Sequence, residues 1–271
     1  MRAALAFPMI LVFALGSHAA SAGPQSPQAA PSGNDQSAPA GFETYRGYAF
    51  DLSENSESKA FTAMADNLKS QLDIVEAAGF SSKVLKFFHS VPIVASEMAC
   101  LDETAAAACY GLTVPDGGRR VSRGVTTWDH NKLQWTNPDI VELAVDSGLG
   151  VVMLRPNALR HAQDPVLLHE FLHAYHAKLM PRGYENKGIK DFYGQAKAKD
   201  LFPKDAYILK DHKEFFAITA SIFLSGKDAA HEPFTRDKLK ETMPQYYTYL
   251  VGVFGFDPNA PAVVTPVASA D

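Results

Sequence analysis

Several things are scarce in this chain, and each scarcity excludes something. Its 271 residues hold only two cysteines. No histidine or cluster of basic residues flanks them, which argues against a reactive or metal-binding thiol pair. Neither sign of charge dominates: 25 Lys and Arg stand against 30 Asp and Glu, a formal net charge of −5. That balance lacks the electrostatic footprint of a nucleic-acid partner and gives no strong pull toward anionic lipid. Beyond the N-terminus no apolar run is long enough to cross about 30 Å of hydrocarbon. There is no internal repeat. What remains, 46% hydrophobic and 20% charged residues, is ordinary globular composition.

The ends separate from the body by composition. Arg2 precedes an apolar run from Ala3 to Leu15, and Ala20-Ser21-Ala22 supplies small residues before Gly23. Residues 1–22 therefore read as a cleaved signal peptide, predicting a secreted or periplasmic protein with no membrane attachment after cleavage. Residues 23–42 are rich in Pro, Ser, Gln and Ala and read as a flexible linker. From Phe256 to Asp271 the composition turns again to Pro and small residues, a loose tail. The body, 43–255, is long enough to bury a sizeable core. In an oxidising compartment Cys100 and Cys109 form one local disulfide, worth about 2.7 kcal/mol for a loop of about ten residues.

Within the body, Tyr45 to Leu52 reads as a strand and Glu57 to Ala78 as a helix, with Phe61, Met64, Leu68, Leu72 and Val75 on one face and Gly79 at its end. Val84 to Phe88 is a second helix and Val91 to Val94 is extended. Val121 to Trp135 suggests strands or a hairpin after a Gly117-Gly118 turn. Ile140 to Val145 and Gly150 to Leu154 are β-rich. Helical patterns follow at Pro165 to Leu179, Ile189 to Lys199, Asp211 to Leu224 and Arg236 to about Phe254. Strands first and helices later is an α+β order. A small mixed sheet is expected, packed on the helix that begins at Asp164-Pro165, with a helical C-terminal lobe.

That helix carries the chemistry. His169 and His173 are four residues apart, so they stand about 40° apart on one face, one turn above the other. Two imidazoles so placed can share one tetrahedral zinc. Glu170 lies about 100° round, off the ligand pair but near enough to meet a water on the metal. This is the H-E-x-x-H pattern of zinc metalloproteases. Leu167, Leu168, Phe171, Leu172 and Tyr175 surround it. A helix so apolar would not hold three ionisable groups unless they satisfied one another or a metal.

Zinc needs a third protein ligand and an open position. A histidine six residues after His173 would mark a metzincin, but Leu179 stands there. Glu214 is the candidate instead, sharing a helix face with the small residues Ala217 and Ser221. The alternative is a capping acid, since Asp211 precedes it by three residues.

His-Glu-x-x-His followed some forty residues later by Glu214-Phe215-Phe216-Ala217 resembles the gluzincin metallopeptidases. It is closest in pattern to the lethal factor-like branch and related secreted gluzincin-like proteins. Tyr207, seven residues before Glu214, matches a tyrosine of that branch, and Val141-Glu142-Leu143-Ala144, Leu168 to His176, Ala206-Tyr207, Glu214 to Ala217 and Pro233-Phe234-Thr235-Arg236 match segments of the secreted proteins. The likeness spans roughly residues 140 to 255. It implies a zincin-like fold, Zn2+ on His169, His173 and Glu214, Glu170 as general base, Tyr207 as a transition-state donor, and a peptide or protein substrate. Two positions depart from it: Ile218 and His176 stand where the family usually carries acids. Gly150 to Leu154 would offer its edge to an extended peptide. The rival reading is an exported zinc-binding interaction or toxin-like module that cleaves nothing.

Overall fold

The computed structural model describes residues 42–95, 100, 107–111, 128–129, 134–135, 148–228 and 230–260. The expected signal peptide, the linker up to its last residue, the Gly117-Gly118 turn and the strand at Ile140 to Val145 lie outside these. Phe42, placed with the linker by composition, is buried.

The segment expected as one strand folds as a tight hairpin, β1 (Glu43–Tyr45) and β2 (Tyr48–Asp51), because Arg46 and Gly47 both take positive φ and reverse the chain. Helices α1 (Phe61–Ala77) and α2 (Ser82–His89) follow, the second capped by the Ser81 side chain on the Val84 amide. Strands β3 (Ile93–Ala95) and β4 (Ala108–Gly111) come next, then a separate two-stranded pair, β5 (Trp128–Asp129) with β6 (Gln134–Trp135). Strand β7 (Val151–Leu154) completes the main sheet, whose order is β1-β2-β3-β7-β4. The inner strands β2, β3 and β7 run parallel, while β1 and β4 are antiparallel to their neighbours.

Every residue of β3 and β7 is buried, as expected of strands covered on both faces. Strand β7 is flanked by β3 and β4. The expectation that Gly150 to Leu154 offers a free edge is therefore wrong, because its backbone groups are committed on both sides. Among the described residues the edges of this sheet are β1 and β4, the latter half-buried and next to β7. Cys109 of β4 is disulfide-bonded to Cys100, with 5.9 Å between their Cα atoms.

The remaining helices are α3 (Val166–Lys178), α4 (Lys187–Ala198), α5 (His212–Ser225), α6 (Arg236–Thr242) and α7 (Pro244–Phe254). The single helix expected from Arg236 to Phe254 is two. Pro244 pushes Met243 out of the helical region (φ −136°, ψ 64°) and opens the second helix at its first position. The end of the chain is less loose than its composition suggests: Phe256 packs on the core, and Asp257 accepts a hydrogen bond from the Tyr247 hydroxyl.

The architecture is mixed α and β, in keeping with the α+β order. One continuous core joins sheet and helices. Phe171 of α3 meets Tyr48 of β2 at a centroid distance of 5.4 Å and Phe88 of α2 at 4.9 Å. On the other side of α3 lies α5, buried from Glu214 to Leu224. Among the described residues no helix is long and apolar enough to cross a membrane.

Candidate metal centre

Two helices supply the centre. Helix α3 follows Asp164-Pro165, yet no side chain of its own segment caps it. The cap comes from α1 instead. Gln71, fully buried, accepts from the Leu167 amide (3.3 Å) and donates to the Ala158 and His161 carbonyls (both 3.1 Å). One amide side chain thereby fixes the start of the helix and the loop before it. Helix α5 opens on Asp211, whose Oδ1 accepts from the amides of Lys213 (2.7 Å) and Glu214 (3.0 Å). Because Asp211 satisfies the helix start, Glu214 is released from capping and turns toward α3.

There the three expected donors meet. His169 Nε2 and His173 Nε2 are 3.1 Å apart, and Glu214 Oε2 lies 3.2 Å from the first and 3.5 Å from the second. Among the described residues these three form the group whose donor atoms converge closely enough to hold a metal ion. His173 and Glu214 are buried and His169 is partly so. Glu214 Oε2 is buried with the two imidazole nitrogens as its near neighbours, so it is satisfied either by an imidazole N–H or by a cation. Two imidazole nitrogens and one carboxylate oxygen converging on one point can share protons or a single cation.

Among themselves the three groups interact as an ion pair. Burial by itself would raise the Glu214 carboxyl, but the two imidazoles outweigh it and hold the group far below the ordinary carboxylate range. For His173 burial works downward, and Glu214 together with the Glu170 charge overcomes it, leaving the imidazole more basic than usual. Glu170 is buried beside this pair without joining the donor group.

The chain matches no protein-family model, no curated protein and no solved structure. Its function must be argued from the site.

Tyr207 begins a short 3-10 turn packed on α5. It is 40% exposed, yet its hydroxyl reaches to 3.5 Å from Glu214 Oε1. Lys210, on the same turn, donates to the Tyr207 oxygen at 3.1 Å and lies 3.6 Å from Glu214 Oε1. The Tyr207 ring also neighbours His231, at 5.5 Å between centroids, with the His231 Nδ1 3.3 Å from Asp228 Oδ2. Gln71, Lys210, Asp228 and His231 were missed from sequence. Only Lys210 left a local sign, three residues after Tyr207 and four before Glu214; the others come from distant elements.

His176 is neither a ligand nor solvent-facing. It is fully buried, with no hydrogen-bond partner on either ring nitrogen. Phe216, Tyr184 and His212 surround it at centroid distances of 4.8, 5.1 and 6.2 Å. Burial, aided by the charges of His173 and His212, lowers its pKa to about 3. Ile218, the other departure from the family pattern, is core.

Proposed function

We propose that the chain is an exported zinc metallopeptidase of the gluzincin type, with a zincin-like arrangement of sheet and metal helix. The observation that carries this reading is the size of the donor triangle. A tetrahedral zinc with ligands at about 2.0–2.1 Å requires about 3.3–3.4 Å between neighbouring ligand atoms. The three separations of 3.1, 3.2 and 3.5 Å bracket that value. Two imidazoles and one carboxylate are also the donor set of catalytic zinc sites that keep a position open.

When bound, zinc supplies Lewis-acid polarisation of the scissile carbonyl and acidifies water toward a pKa of about 7. Glu170 takes the proton of the attacking water and delivers it to the leaving amine. Tyr207 donates to the oxygen on which negative charge develops, an interaction stronger in the transition state than in the ground state. The outer edge of β4, rather than β7, receives an extended peptide. Export is supported by the leader-like N-terminus and by the Cys100–Cys109 disulfide.

The rival, a zinc-binding module without peptidase activity, draws on Ile218 and His176, because neither can orient a ligand imidazole through a carboxylate. One experiment separates them. Zinc is quantified in the mature protein, and digestion of a peptide library is followed with and without chelator, for wild type and Glu170→Gln. Stoichiometric zinc, chelator-sensitive cleavage and a zinc-loaded but inactive variant support the peptidase. Stoichiometric zinc with no cleavage supports the rival, and a protein that takes up no zinc ends both.

A further inference from the structure

Tyr207 is poorly confined for a residue whose hydroxyl must point at one atom. The residue is 40% exposed, so the direction of its hydroxyl depends on the polar groups around it. Two neighbours divide the task of holding it. His231, pinned by Asp228, lies against the ring at 5.5 Å and limits its tilt. Lys210 addresses the oxygen, with Nζ at 3.1 Å.

We propose that Lys210 is a positioning residue that aims the Tyr207 hydroxyl at the reaction centre. The inference rests on the reading of Tyr207 given above. Its warrant is the hydrogen-bond inventory. An ammonium group only donates, whereas a phenol has one proton to give and lone pairs to receive. Lys210 therefore occupies a lone pair of the Tyr207 oxygen, and the phenolic proton must leave in another direction. One acceptor within reach is Glu214 Oε1, 3.5 Å away, a long contact that a nearer, more negative oxygen would displace. Lys210 is also 3.6 Å from this same Glu214 oxygen. The three atoms form a triangle, and the ammonium is held at its corner by both partners. A charge-assisted bond into the phenol polarises its O–H, making it a stronger donor to an oxyanion than a water-solvated tyrosine. Nothing in this arrangement requires Lys210 to touch substrate.

The test uses the zinc-loaded full mature chain and a peptidyl phosphonate, whose tetrahedral anionic oxygens imitate the reacting carbon. Phosphonate affinity is measured by calorimetry for wild type, Lys210→Met, Lys210→Arg, Tyr207→Phe and the Lys210→Met/Tyr207→Phe double variant, with kcat, KM and zinc content alongside. Lys210→Met and Tyr207→Phe should each weaken phosphonate binding about tenfold or more. The double variant should be no weaker than Tyr207→Phe alone, Lys210→Arg should recover most of the loss, and the kinetic effect should fall on kcat. Losses that multiply in the double variant would mean that Lys210 contacts the anion itself and would overturn the proposal. So would unchanged affinity in Lys210→Met, loss of zinc from that variant, or a wild type that does not bind the phosphonate. If wild type binds the phosphonate but cleaves no peptide, the peptidase reading fails while the coupling of Lys210 to Tyr207 is still decided.

Discussion

Replacing His176 with phenylalanine should stabilise the protein, and by more at mildly acidic pH than at neutral pH. The imidazole is sealed among Phe216, Tyr184 and His212 with neither nitrogen hydrogen-bonded. A desolvated polar group without a partner costs about 1–3 kcal/mol, and an apolar ring of similar shape removes that cost. The pH dependence is larger. In the unfolded chain the histidine titrates near its ordinary 6.5, but in the fold near 3. The folded pKa is depressed, so the contribution to stability is intact above the unfolded pKa and drains away as the pH falls from 6.5 toward 3, because only the unfolded state takes up the proton. Integrated from pH 7 to pH 5, the difference is about 2 kcal/mol. Denaturant unfolding of the metal-free protein, run at both pH values on wild type and His176→Phe, isolates this term, since the other titrating groups are common to both. The variant should be the more stable at each pH, with the gap widening by about 2 kcal/mol at pH 5. Parallel losses on acidification would refute a buried neutral His176, and destabilisation at pH 7 would show that the imidazole is hydrogen-bonded in solution.

Four further outcomes follow. His173→Ala should abolish stoichiometric zinc in folded protein by removing one of three donors, and Glu214→Ala should do the same; metal analysis reads both, and full zinc in Glu214→Ala would require another third ligand. Glu170→Gln should keep zinc and lose about 10²–10⁴ of its turnover, as expected for a positioned base; an active zinc-loaded variant would contradict the mechanism. Tyr207→Phe keeps the ring, so zinc and fold should persist while kcat drops about 10²–10³, and a near-normal kcat would leave the tyrosine a packing residue. Gln71→Leu strands the Leu167 amide and two loop carbonyls at once and should cost about 2–4 kcal/mol in unfolding free energy, whereas a loss below 1 kcal/mol would show that the loop before α3 re-pairs with water.

The sequence by itself determined what is local. The spacing of His169 and His173 on one helix, the place of Glu170 beside them, the α1 stripe and the nearness of Cys100 to Cys109 all follow from the helical period or from short separation along the chain. Glu214 was legible as a candidate only, because capping acid and metal ligand have the same sequence signature and differ in where the carboxylate points. Tertiary structure removed the capping role and left the ligand role open to Glu214: Asp211 takes the cap and α5 lies against α3, which brings the carboxylate oxygen within 3.5 Å of both imidazoles. It likewise placed β7 inside the sheet with β1 and β4 at its edges, gave α3 a cap from Gln71, and buried His176 where helical spacing left its surroundings open. Each of these depends on residues far apart in the chain. Periodicity fixes which side chains share a face, but not which distant element that face will meet.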